Sequence, residues 1–169
     1  MSCNLGRNYK FPTDAVLPPG DIEIRNLSSK LFSEMFKFGS VRNPWARVYS
    51  LYTRSEAIQC KSVMTFSVFV EKIRFASDTC LHPLRTRNQL DWFIDSDGNI
   101  LTDYIYRLED INQAIKDIED LTSGGIILQK KRLNVNNRPY DYRDIYGEKE
   151  RIIVGKLFEK DIDYFKYDF

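Results

Sequence analysis

The sequence predicts one α/β domain with a largely parallel sheet, on three observations. A short strand, a tight turn and a helix follow one another between residues 36 and 56. A second strand signal at residues 100–106 feeds a strongly periodic helix at 109–122. The length of 169 residues fits a single domain rather than two. Strands that alternate with helices pair in parallel, because the helix supplies the crossover that a parallel neighbour requires.

Each element has a local cause. Residues 1–20 hold three of the six prolines and show no clean periodicity, so residues 1–35 read as an irregular lead-in with a short helix at 27–35. The first strand is Phe36-Lys37-Phe38-Gly39-Ser40-Val41, rich in β-formers and stopped at once by Arg42-Asn43-Pro44. Asn43 is a good N-cap, and Pro44 suits the first helical position because its missing N–H has no intrahelical partner there. The helix expected at 44–56 carries Trp45, Val48, Leu51 and Tyr52 on one face. A second helix at 65–76 shows the i, i+3, i+4, i+7 pattern in Phe66, Phe69, Val70 and Ile73, and residues 77–90 read as loop. Asp95-Ser96-Asp97-Gly98-Asn99 signals a turn before the strand at 100–106. It does not match a calcium loop, in which glycine stands sixth; here it is fourth from Asp95. The helix at 109–122 places Ile111, Ala114, Ile115, Ile118 and Leu121 in register and stops at Gly124-Gly125. The last helix, at 147–163, aligns Val154, Leu157, Phe158 and Ile162 before an aromatic tail.

Composition excludes several classes. Twenty-five Lys and Arg oppose twenty-four Asp and Glu, a net charge of +1 that argues against a whole-surface nucleic-acid binder. Cys3, Cys60 and Cys80 are scattered and His82 is the single histidine, so neither a closed zinc site nor a disulfide framework is expected. No run approaches the ~18 apolar residues of a membrane span, and no signal-peptide pattern opens the chain. Reduced cysteines and the absence of these signals lead to the expectation of a cytoplasmic protein.

The segment from Val41 to Tyr52 carries the chemistry. Arg42 follows a strand, and Ser50 lies eight residues on, two turns into the helix. A guanidinium fork at the carboxyl end of a strand, beside a helix N-terminus, suits an anion. It makes bidentate charge-assisted bonds to phosphate, free helical N–H groups add positive potential, and the Ser50 hydroxyl adds a donor. Ligands of open α/β sheets sit at this end of the strands. Arg42 and Arg47 equally suit ion pairs with carboxylates on neighbouring elements.

The pattern F-x-F-x-x-V-R-N-P-W-x-R-x-x-S-x-Y over residues 36–52 closely resembles the 3′-phosphate motif of the carbohydrate-type sulfotransferases. Asp91–Asn99 followed by Tyr104-Ile105-Tyr106-Arg107-Leu108-Glu109 resembles a second block of that family. Residues 140–146 and 161–169 resemble its C-terminal helix and aromatic tail. The resemblance implies a P-loop NTPase-like fold, a three-layer parallel sheet flanked by helices, over residues 36–169. It implies 3′-phosphoadenosine 5′-phosphosulfate (PAPS) as donor without a metal, and Arg42 and Ser50 on its 3′-phosphate. Lys131 and Arg132, in the basic run 130–132, become candidates for further phosphate contacts, although such a run also suits a solvated loop. His82 is a candidate general base, although a lone loop histidine is also commonly structural or exposed.

Two departures follow. The family's first strand, Lys- and Gly-rich 5′-phosphosulfate loop and helix have no counterpart before Phe36, where Gly6 and Gly20 are isolated. Tyr106 stands where the family has glycine. The expectation is a PAPS-dependent protein that transfers a sulfuryl group to a carbohydrate-type hydroxyl, either active with another loop in place of that first unit or catalytically incomplete without it. The alternative is a non-catalytic nucleotide-binding or protein-interaction relative that kept the fold. A missing first strand also leaves a sheet edge for residues 1–35 or a second copy of the chain to cover.

Overall fold

The computed structural model describes residues 29–53, 64–73, 88–95, 97–128 and 141–169. Helix α1 spans Ser29–Glu34, strand β1 Phe38–Val41 and helix α2 Pro44–Tyr52. Helix α3 covers Phe66–Ile73, and a 3₁₀ turn occupies Leu90–Trp92. Strand β2 spans Tyr104–Arg107, and a 3₁₀ turn at Leu108–Asp110 leads into helix α4, Ile111–Leu121. A further 3₁₀ turn at Tyr142–Ile145 precedes helices α5, Glu148–Leu157, and α6, Glu159–Phe165.

The expected alternation is present, with mixed helix and strand and a parallel pair at its centre. β1 and β2 run parallel, with Phe38 opposite Tyr104 and Val41 opposite Arg107. Among the described residues the sheet has these two strands. Successive residues of β2 face opposite ways. Tyr104 reaches α4, where its hydroxyl donates to Asp117 Oδ2 at 2.6 Å. Ile105 faces the main core instead. That core joins Val41 of β1 to Trp45, Val48 and Leu51 of α2, Phe66, Phe69 and Val70 of α3, and Val154, Leu157 and Phe158. Burying each of these side chains contributes about 1.5–3 kcal/mol.

Local signals set several boundaries. Asn43 caps α2 as its sequence predicts, and Asp95 closes its turn by accepting from the backbone N–H of Asp97 and Asn99 at 2.9 and 2.8 Å. Thr53 ends α2, its N–H donating to Tyr49 O at 3.0 Å. Residues 54–56 of the expected helix, and 74–76 of the next, lie outside the described residues. The strand expected at 100–106 is shorter. Ile100 pairs antiparallel with Ile94 in an isolated bridge, and the parallel ladder begins only at Phe38 opposite Tyr104, where Lys37 O accepts from Asp103 N and Tyr104 N at 2.7 and 3.1 Å.

The helix expected at 147–163 is two helices. Phe158 leaves helical geometry (φ −118°, ψ 27°) with its ring fully buried, and α6 begins at the next residue. The apolar stripe runs across the break, so periodicity alone hides it. In the lead-in, α1 corresponds to the short helix expected at 27–35; residues 1–28 lie outside the described residues.

Candidate functional site

Val41 is the last residue of β1, so Arg42 begins where the ladder stops. The Gln89 side chain continues the ladder in place of a strand. Arg42 N donates to Gln89 Oε1 at 2.9 Å, and Gln89 Nε2 donates to Arg42 O at 2.8 Å. Gln89 is in turn held by Asp161 of α6, whose side chain is fully buried. Asp161 Oδ2 accepts from Gln89 N at 2.8 Å and Gln89 Nε2 at 3.2 Å, and Oδ1 accepts from Leu90 N at 2.9 Å. Burial pushes the Asp161 carboxyl above its ordinary range, while the Gln89 and Leu90 donors and the charge of Arg47 pull the other way.

The start of α2 is internally satisfied. Asn43 Oδ1 accepts from Trp45 N at 3.0 Å and Ala46 N at 3.3 Å, and Arg47 N donates to Asn43 O at 2.8 Å. The expectation that free N–H groups of this helix would face an anion is therefore corrected. Asn43 takes those donors, and the positive potential comes from arginine side chains and the helix dipole.

Arg42, Arg47, Ser50 and Gln89 line one cleft of about 220 Å³, together with Leu51 and Leu108. Arg47, Ser50 and Leu51 share a face of α2 because they lie three and four residues apart. The Arg47 guanidinium carbon lies 5.8 Å from the centroid of the buried Phe158 ring, a cation–π contact that steadies its direction. The volume falls below the ~300–1,000 Å³ of pockets that enclose a whole small molecule.

The structure thus brings together Arg42 and Ser50, the two residues assigned from the motif, and adds Arg47 and Gln89 beside them. His82, Lys131 and Arg132 lie outside the described residues. Neither Gln89 nor Asp161 is among the site candidates from the sequence, but one signal was present. Asp161 stands in register with Val154, Leu157 and Phe158 on an apolar stripe, where an acidic residue requires a buried partner.

The second resembling block proves to be a fastening. Arg107 Nη2 donates to the carbonyl of Phe165, and its guanidinium carbon lies 5.0 Å from the Tyr167 ring centroid. Glu109 Oε1 accepts from Asn43 N at 2.8 Å. Asn43 Nδ2 donates to Asp168 O at 2.7 Å, and Phe169 meets Trp45 edge-on at 5.5 Å. The turn that carries Arg42 is therefore tied to the aromatic tail.

A second groove, of about 590 Å³, runs between β2 and α4 and is lined in part by Tyr104, Tyr106, Gln113, Lys116 and Asp117. Tyr106 stacks on Tyr104 with centroids 6.1 Å apart. Burial, and then the Asp117 hydrogen bond and charge, hold the Tyr104 hydroxyl pushed up to about 12. Among the described residues, no cluster of His, Cys, Asp and Glu could hold a metal ion, and no helix is long and apolar enough to cross a membrane. Comparison with family models, curated proteins and solved structures finds no match for this chain.

Proposed function

We propose that the cleft at the end of β1 binds the 3′-phosphate of PAPS, and that the chain is a sulfotransferase of the carbohydrate type with a P-loop NTPase-like fold. The observation that carries this is the convergence of Arg42, Arg47 and Ser50 on one phosphate-sized cleft at the carboxyl end of a parallel strand. Arg42 supplies a bidentate fork, Arg47 a second cation, and Ser50 a hydroxyl donor. The donor supplies the reactive sulfuryl group. An acceptor hydroxyl attacks sulfur in line, its proton passes to a base, and the bond from sulfur to the 5′-phosphate oxygen breaks to release adenosine 3′,5′-bisphosphate. His82 is proposed as that base, with Lys131 and Arg132 as further phosphate contacts.

One observation favours a second reading, nucleotide binding without transfer. Both described strands run into turns lacking a glycine-rich loop, Arg42-Asn43-Pro44 after β1 and Leu108-Glu109-Asp110 after β2. Among the described residues nothing cradles the 5′-phosphosulfate.

Calorimetric titration with adenosine 3′,5′-bisphosphate tests the shared core of both. Arg42→Ala should weaken binding roughly 10- to 100-fold, the loss expected for a charged hydrogen-bonding group, and Ser50→Ala about fivefold. Absence of binding by the unaltered protein defeats both readings. Labelled PAPS with mixed glycan acceptors then separates them, since only the sulfotransferase yields labelled glycan.

A further inference from the structure

Resting on the assignment of the cleft to a phosphate, we propose that Gln89 and Asp161 are positioning residues, which fix Arg42 so that its guanidinium meets that phosphate already aligned. The first residue beyond a strand loses its ladder partners, and Arg42 occupies that place. A long side chain on loose backbone pays ordering entropy when it grips a ligand, and a fixed backbone removes part of that cost. Gln89 fixes both polar backbone groups of Arg42, from a position 47 residues away. The amide has one orientation that works, because Arg42 N can only donate and Arg42 O can only accept.

Asp161 secures the amide from behind. Its two oxygens receive three N–H groups from Gln89 and Leu90, which leaves Gln89 Nε2 with both protons used, one on Arg42 O and one on Asp161 Oδ2. The same carboxylate attracts Arg47, the second cation of the cleft. One buried acid thus stands behind both arginines, through an amide for Arg42 and through charge for Arg47.

The test compares affinities for adenosine 3′,5′-bisphosphate and adenosine 5′-monophosphate, which differ in the group that Arg42 is assigned. Gln89→Ala should weaken the bisphosphate about tenfold and leave the monophosphate within about twofold, because only the arginine–phosphate geometry is loosened. Combined with Arg42→Ala, it should add little, since Gln89 acts through Arg42. Val154→Ala, in the fully buried core outside the cleft, should lower stability and leave the ratio of the two affinities unchanged. Asp161→Asn should reproduce the Gln89→Ala pattern where it folds; where it does not, Gln89→Ala decides. Equal weakening of both nucleotides, or a loss that adds in full to that of Arg42→Ala, would overturn the positioning role while leaving the phosphate site standing. An unaltered protein that does not distinguish the two nucleotides overturns the phosphate site and the positioning role together.

Discussion

Replacing Asn43 tests the turn on which the site is built. Its Oδ1 caps two N–H groups of α2, at 3.0 and 3.3 Å, and its Nδ2 donates to Asp168 O at 2.7 Å. The side chain is buried, so water does not replace these partners cheaply. Loss of the cap costs about 1 kcal/mol within a range of 0.5–2. Stranding the Asp168 carbonyl adds about 1 kcal/mol. Asn43→Ala should therefore destabilise by about 1.5–3 kcal/mol, which lowers Tm by roughly 3–12 °C in a domain of this size. Asn43→Asp keeps the cap acceptor, loses the donor and places a carboxylate near Glu109, so it should fall between the two. Urea unfolding followed by fluorescence of the buried Trp45 measures this, with an unchanged m-value marking a change in stability alone. Asn43→Ala within about 0.5 kcal/mol of the parent would refute the account, because surface substitutions typically lie in that range.

Two further expectations come from other parts of the fold. A Cβ at Gly39 would stand 2.3 Å from Phe93 Cε1, so Gly39→Ala should cost about 1–3 kcal/mol, and Phe93→Leu should relieve it; strictly additive effects in a double-mutant cycle would contradict the packing. Because burial raises the Asp161 carboxyl, the folded protein binds that proton more tightly than the unfolded chain. The stability this contributes is complete below the unfolded value of 3.8 and is lost as pH rises through the folded one. The stability difference between the parent and Asp161→Asn should therefore shrink as pH rises above about 4 in urea melts, and a difference that grows would show the N–H donors outweighing burial. Asp95, Asp103 and Asp141, held low by their own hydrogen bonds, give the opposite slope and cancel in this comparison.

The parts legible in the sequence are those with local causes. Asn43-Pro44 marks the start of α2 because cap and first-turn chemistry lie within four residues, and Asp95 closes its own turn for the same reason. The end of α4 is nearly legible. Glycine is expected there, yet Ser123 takes the first left-handed position (φ 50°) and Gly124 the next (φ 77°), with Gly124 N donating to Glu119 O at 2.8 Å. The break at Phe158 and the pairing of Gln89 with Arg42 have distant causes that no window of neighbouring residues contains. Asp161 is the intermediate case. Its place on an apolar stripe announces a buried partner but cannot say which residue supplies it.

The tie between Asn43 and Asp168 spans 125 positions. Closing so long a span is entropically slow, and contacts of this kind delay folding relative to those within helices. During synthesis, α2 can coil long before the aromatic segment that braces its leading end has been made. Refolding should accordingly show helical signal first and the edge-on seating of Phe169 against Trp45 afterwards, so that the cleft at the end of β1 is completed late.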